Sequence, residues 1–161
     1  ALSRMVCVVY LFPFVALLPT TFPAERGIQR EIETPVRIAI GRYLFEHKRP
    51  GDRVGCEPLG FIGYYSRMPV LDYPGLASPE VTGFLLEHPQ ERNLGDMLAH
   101  FRPEWIVLRD FEYKSSETNP RLHFLQTEYS IEKAFHSEGF MQVFRATQNI
   151  DLHFYLLKKR S

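Results

Sequence analysis

Two cysteines, one tryptophan and no surplus of either charge are all that this chain of 161 residues offers where several functional classes would require more. Cys7 and Cys56 can close at most one bridge, and Cys7 lies in an apolar run where a thiol behaves as a small hydrophobe. Neither a disulfide framework nor a cysteine-based zinc site follows. The 19 basic and 19 acidic residues cancel, so the chain has no overall basic field of the kind that holds nucleic acid without regard to sequence, and a nucleic-acid partner is disfavoured. No G-x-G-x-x-G or G-x-S-x-G occurs, and Gly55-x-x-x-x-Gly60 lacks the Lys-Ser/Thr of a phosphate-binding loop. The six histidines never fall three or four residues apart, which removes the usual helical metal pair. From the residues alone there is no catalytic constellation, no metal site and no cofactor to assign.

What is present is a packed-protein composition. With 45% hydrophobic and 14% aromatic residues against 24% charged, the chain has the makings of one core, and its length suits one domain. The exception is the start. Every residue from Met5 to Leu18 is apolar, and no charge occurs between Arg4 and Glu25. Such a run is short of the roughly 20 residues that span a bilayer. Three readings compete: the core of a signal peptide, a helix buried on all sides, or the end of a membrane helix that begins upstream of Ala1. A signal peptide wants small residues before its cleavage site, and Phe22 stands at −3 of the local candidate after Ala24. A helix apolar all round needs more core around it than a chain of this size supplies. The preferred reading makes residues 1–24 the end of a transmembrane helix, with Tyr10 and Phe22 at the interface, and residues 25–161 a separate α/β domain.

Within that domain, Ile32, Val36, Ala39, Ile40, Tyr43 and Leu44 recur at helical spacing, and Pro50-Gly51-Asp52 ends the helix with turn residues. Thr34-Pro35 fits a helix start, or a kink in a helix that begins earlier. Arg53–Glu57 and Met68–Asp72 read as strands on either side of a short helical segment, Leu59–Tyr65. Ser78 and Asn93 read as caps of two further helices, with Pro79 at the first helical position. Glu104–Leu108 carries four consecutive apolar residues, the mark of a strand covered on both faces and placed mid-sheet. Arg109–Asn119 reads as a polar surface loop and Tyr129–His136 as a helix. Phe140–Ala146 and Leu152–Leu157 read as a closing antiparallel hairpin. The expected fold is α/β: a small, mostly parallel sheet with flanking helices and a C-terminal hairpin, preceded by an apolar membrane helix.

Glu57 and Asp72 end two predicted strands, at the edge where open α/β sheets bind ligands. With Tyr64 and Tyr65 they form the candidate substrate-binding set. Two carboxylates there suit acid/base work or the holding of a cation. The competing reading is structural: Glu57 caps a turn, Asp72 ties down Tyr73-Pro74-Gly75, and the tyrosines are core residues with wet hydroxyls. Trp105 reads as packing, and Lys158-Lys159-Arg160 as a solvated end that could also meet anionic headgroups beside a membrane.

Three stretches carry a family resemblance: P-G-D-R-V-x-x-E-P-x-G-F-I-G-Y-Y-S (Pro50–Ser66), P-V-L-D-Y-P-G-L (Pro69–Leu76) and R-P-E-W-I-V-L-R (Arg102–Arg109). Together with the apolar start and the amphipathic helix, they resemble the C-terminal extracytoplasmic part of bacterial polytopic GT-C glycosyltransferases of the dolichyl-phosphate-mannose and arabinosyltransferase-like kind. The similarity covers roughly residues 5–146. It implies a parent enzyme in the cytoplasmic membrane that transfers a sugar, with inversion, from a polyprenyl-phosphate carrier to a glycan or protein acceptor on the extracytoplasmic side. In that family the carboxylate base lies in an early loop that this chain does not contain. The resemblance therefore implies a non-catalytic terminal domain with membrane lipid as a neighbour, inactive alone. The alternative is a membrane-anchored or secreted module that binds a glycan or a protein through the Glu57/Tyr64/Asp72 edge. A third reading is a small freestanding hydrolase using Glu57 and Asp72.

Overall fold

The computed structural model describes residues 12, 15–16, 22–23, 25–91, 93–137 and 152–160. The apolar run lies largely outside them; of its residues Phe12, Val15 and Ala16 are helical. Among the described residues no helix is long and apolar enough to cross a membrane.

The first element, α1 (Gln29–Ile38), is π-wound and runs directly into α2 (Ala39–His47). Pro35 lies inside α1, so the helix starts earlier than the Thr34-Pro35 signal. A proline has no N–H to give the preceding turn, and wider winding accommodates that gap. Val36, Ile40 and Leu44, four residues apart, are the fully buried stripe. After the turn at Gly51 (φ +91°) come β1 (Val54–Cys56), α3 (Leu59–Ser66) and β2 (Val70–Asp72). Two helices follow, α4 (Pro79–Glu87) and α5 (Leu94–Phe101), then β3 (Trp105–Arg109). Asn93 caps α5 as expected, its side chain accepting the Asp96 N–H at 2.9 Å. Ser78 stands at the start of α4 but does not cap it with its side chain; its hydroxyl is engaged by Asp72 and Val70 instead.

The chain continues through α6 (Asp110–Thr118), a 3-10 turn (Pro120–Leu122) and α7 (His123–Glu128) to β4 (Tyr129–His136) and β5 (His153–Lys159). The sheet order is β2-β1-β3-β5-β4. β3 is the middle strand, as its apolar run requires. Trp105 and Val107 enter one core layer with Val36, Ile40, Leu44 and Ile62; Ile106 and Leu108 enter the other with Val81, Phe84, Leu98 and Leu125. Alternation with helices on both faces turns a continuous apolar run into two layers of packing.

Three expectations are corrected. The sheet is not mostly parallel: β2–β1–β3 is a parallel half with short ladders, while β3–β5 and β5–β4 are antiparallel and longer. The segment expected as a loop after Arg109 is helix α6. Its start is held by Glu112, whose carboxylate accepts the Arg109 N–H at 2.7 Å, and Lys114 binds Asp110 one turn back at 2.7 Å. The segment expected as a helix, Tyr129–His136, is edge strand β4. Ile131, Ala134 and Phe135 imitate helical spacing, but pairing with β5 sets the conformation. An irregularity between Ile131 and Lys133 shifts the register by one, so Tyr129 enters one core layer and Phe135 the other. On its outer side β5 thus pairs with β4; the expected strand Phe140–Ala146 lies outside the described residues.

Candidate functional site

Because β1, β2 and β3 run parallel, their carboxyl ends share one edge and bring Cys56-Glu57, Asp72 and Arg109 there. The sequence placed Glu57 and Asp72 at this edge, and both are there, but they face different neighbours. Glu57 turns toward β3, where its Oε2 pairs with Arg109 Nη1 at 3.0 Å. Arg109 Nη2 donates to Glu112 Oε1 at 2.6 Å, and its guanidinium lies over the Phe111 ring. One arginine therefore binds two carboxylates, from β1 and from α6.

Asp72 turns the other way and is 1% exposed. Its Oδ2 accepts the Leu76 N–H at 2.6 Å, and its Oδ1 accepts the Ala77 N–H at 3.1 Å and the Ser78 hydroxyl at 2.6 Å. This loop contains the cis Tyr73-Pro74 bond and Gly75 at φ +89°. Thr82 closes it, its hydroxyl donating to Gly75 O at 2.7 Å. Asp72 thus fills the structural role weighed for it, and Glu57 and Asp72 are engaged by different partners.

Tyr64 and Tyr65 lie on α3. Tyr64 is 77% exposed and meets Tyr65 edge to face at 5.1 Å, while Phe61 stacks on Tyr65 at 6.4 Å. With Gly60 these rings line a shallow concavity of about 370 Å³. Gly41 on α2 lets α3 approach: a Cβ there would stand 2.7 Å from Tyr65 Cβ and 3.1 Å from Ile62 O. Tyr64 is not a core residue, and with Phe61 and Tyr65 it forms a face of its own on α3.

Sequence reasoning passed over Arg109 and Glu112. The signal was present, a strand ending in arginine with glutamate three residues on, but reading 109–119 as a loop hid it. It also passed over a cavity of about 300 Å³ beside the same edge, lined chiefly by leucines from α5, β3 and α7, with Glu112 and Asn119 among its polar residues. Among the described residues no group of three metal-ligating side chains assembles.

Cys56 is fully buried, and burial together with the nearby Asp72, Glu57 and Glu112 charges pushes its thiol above the ordinary value of 9.0. Burial likewise raises Tyr129 above 10.0; its hydroxyl donates to Pro103 O at 2.7 Å. Both groups hold their protons more tightly folded than unfolded. Between the unfolded and folded values the native state therefore binds more protons, and stability falls as pH rises. The urea midpoint is expected to be steady below the thiol's ordinary value and to drop above it, with Cys56→Ala delaying the onset toward that of Tyr129. An unchanged midpoint across this alkaline range would contradict the linkage.

No curated protein and no solved structure matches the chain. Residues 26–155 match a family described as "Domain of unknown function (DUF8728)". That stretch takes in the amphipathic helix, the parallel half-sheet and the first part of β5, and by a match over most of its length the chain belongs to the DUF8728 family.

Proposed function

We propose that the described domain is the terminal, non-catalytic, extracytoplasmic part of a polytopic membrane glycosyltransferase that takes its sugar from a polyprenyl-phosphate donor. The observation that carries this reading is the convergence of the three resembling stretches. Pro50–Ser66 spans β1 and α3, Pro69–Leu76 holds β2 and the Asp72 loop, and Arg102–Arg109 holds β3. Segments separate in sequence thus build one parallel half-sheet with a common carboxyl edge. The long helix leads into this half: α2 packs on α3 through Gly41, and Lys48, just past its end, binds the carbonyls of Ser66 and Arg67 at 2.9 and 2.6 Å.

In this reading the domain contributes shape and contacts near the acceptor or the carrier, and the sugar-transfer chemistry belongs to other parts of the parent enzyme. Of the four candidate residues, Glu57 and Tyr64 have surface to offer a ligand, Tyr65 supports Tyr64, and Asp72 shapes the loop that follows β2. The test is sugar transfer in membranes from cells expressing the complete coding sequence, with radiolabelled polyprenyl-phosphate sugars as donors. Transfer by the complete protein, and none by residues 1–161 alone, is the expected result. Absence of transfer from every such donor by a folded, membrane-inserted complete protein would overturn the reading, as would turnover by the isolated chain.

A further inference from the structure

Elsewhere on the described surface an arginine is commonly met by a carboxylate, as at Arg53–Glu80, Arg102–Glu128 and Arg121–Asp96. The face made by α2 and α3 differs. Arg42, Lys48 and Arg67 form no ion pair with a carboxylate among the described residues; each lies over an aromatic ring instead. Arg42 sits 5.5 Å from the Tyr65 centroid, and Lys48 and Arg67 flank Phe45 at 5.0 and 5.5 Å. The rings are themselves uncovered: Phe45 is 47% exposed, Phe61 38% and Tyr64 77%. Aromatic surface and positive charge without a carboxylate partner therefore occupy one side of the domain, although the whole chain is neutral. Lys48 also donates to the Ser66 and Arg67 carbonyls, which leaves Arg42 and Arg67 as the guanidinium groups there with no carboxylate or carbonyl acceptor among the described residues.

From this juxtaposition we infer that the α2–α3 face docks on an anionic lipid surface, with the rings of Phe45, Phe61 and Tyr64 at headgroup depth and Arg42, Lys48 and Arg67 meeting lipid phosphates. The chemistry favours lipid over a glycan. The α3 concavity is lined by Gly60 and three aromatic residues, and tyrosine hydroxyls are its sole side-chain polar atoms, too few to meet the hydroxyls of a sugar. Aromatic side chains with one apolar and one wet end are the residues that settle at a membrane interface, and lysines and arginines beside them gain from anionic headgroups. Cations already resting on ring faces keep their charge at the rim without burying it. The proposal goes beyond the transferase reading and does not depend on it, since any protein held at a membrane could use such a face.

The test uses the full chain with Cys7→Ser and Tyr64→Cys, labelled under native conditions with an environment-sensitive fluorophore; Cys56 is buried and stays unlabelled. The labelled chain is mixed with excess preformed vesicles of phosphatidylcholine alone, or of phosphatidylcholine with an equal share of phosphatidylglycerol. The expected result is a blue shift and a severalfold drop in quenching by neutral acrylamide with the anionic vesicles only. Combining Arg42→Gln with Arg67→Gly should abolish the difference. Arg67 has φ +50° at the end of α3, a conformation glycine adopts readily, so this variant keeps the fold while removing charge. A label introduced by Leu86→Cys, at an exposed position of α4, should stay accessible throughout. Equal quenching at position 64 in both lipids overturns the proposal. So does protection without vesicles, which would mean a protein contact, and so does equal protection at position 86, which would mean nonspecific collapse onto lipid.

Discussion

Replacing Asp72 by alanine is expected to destabilise the domain by about 2–3 kcal/mol, because it removes the buried carboxylate on which the donors of the following loop converge. The Leu76 and Ala77 N–H groups and the Ser78 hydroxyl converge on this one carboxylate. The Ser78 hydroxyl also has Val70 O as an acceptor at 2.5 Å, so the loss falls mainly on the two loop amides, whose common acceptor is only 1% exposed. Asp72→Asn should be milder but still damaging, since one amide terminus would point N–H at N–H. The contrast is Glu57→Gln, which weakens a partly exposed ion pair with Arg109 and should cost only about 1 kcal/mol or less. Urea titration in mild detergent, followed by Trp105 fluorescence, checks both. If the Asp72 variants match the wild type in stability, the clamp is not what holds the loop, and the carboxylate becomes a ligand candidate again. In the freestanding-hydrolase reading, the same pair of variants should instead abolish an activity while leaving stability nearly unchanged.

Trp105→Ala is expected to cost about 3–5 kcal/mol, the range for removing a large aromatic side chain from a core. Trp105 is fully buried on the central strand, among the residues of the α1–α2–α3 layer. Its indole Nε1–H donates to Asp52 Oδ2 at 2.9 Å, tying the turn before β1 to β3. Trp105→Phe keeps most of the packing and loses that bond, so its cost should be near 1–2 kcal/mol, and in the Phe background Asp52→Ala should cost only what its acceptance of the Arg49 N–H contributes, about 0.5–1.5 kcal/mol. A double-mutant cycle with Asp52→Ala measures the coupling. Because the single tryptophan is removed, these variants are followed by circular dichroism. A tryptophan that could be truncated without loss of stability would be a ligand platform and not a packing residue, contrary to its burial.

The parts of the fold that were legible are those where a local signal and the tertiary outcome coincide. Val36, Ile40 and Leu44 point one way on any helix, and the Trp105–Leu108 run has no polar face to leave in solvent. Tyr129–His136 was misread because eight residues with Ile131, Ala134 and Phe135 satisfy a helical period as well as a strand with one irregularity. Local propensity does not separate these, and hydrogen bonding to β5 does. Asp110–Thr118 was misread for the opposite reason. It has little apolar periodicity, and its start is stabilised by carboxylates in the first turn, among them Glu112 reaching back to Arg109. At the site, strand ends located Glu57 and Asp72 correctly, while side-chain direction was beyond reach. Whether a carboxylate faces a loop amide or a guanidinium depends on groups that the fold brings together, such as Arg109, which lies 52 positions beyond Glu57 in the chain yet touches it.

By itself the sequence determined the class of fold, the positions of β1, β2, β3 and β5, the amphipathic helix and the carboxyl edge, because each rests on short-range periodicity or on turn and cap residues. The tertiary structure alone decided that the sheet is mixed and not mostly parallel, that β4 is its edge strand, that Asp72 is a clamp and that Glu57 is paired. It also decided that Arg42, Lys48 and Arg67 share one aromatic face. The physical reason is common to all of these: strand direction, carboxylate partners and surface charge clusters are set by contacts between residues far apart in the chain, and periodicity carries no information about which distant segment will be the neighbour.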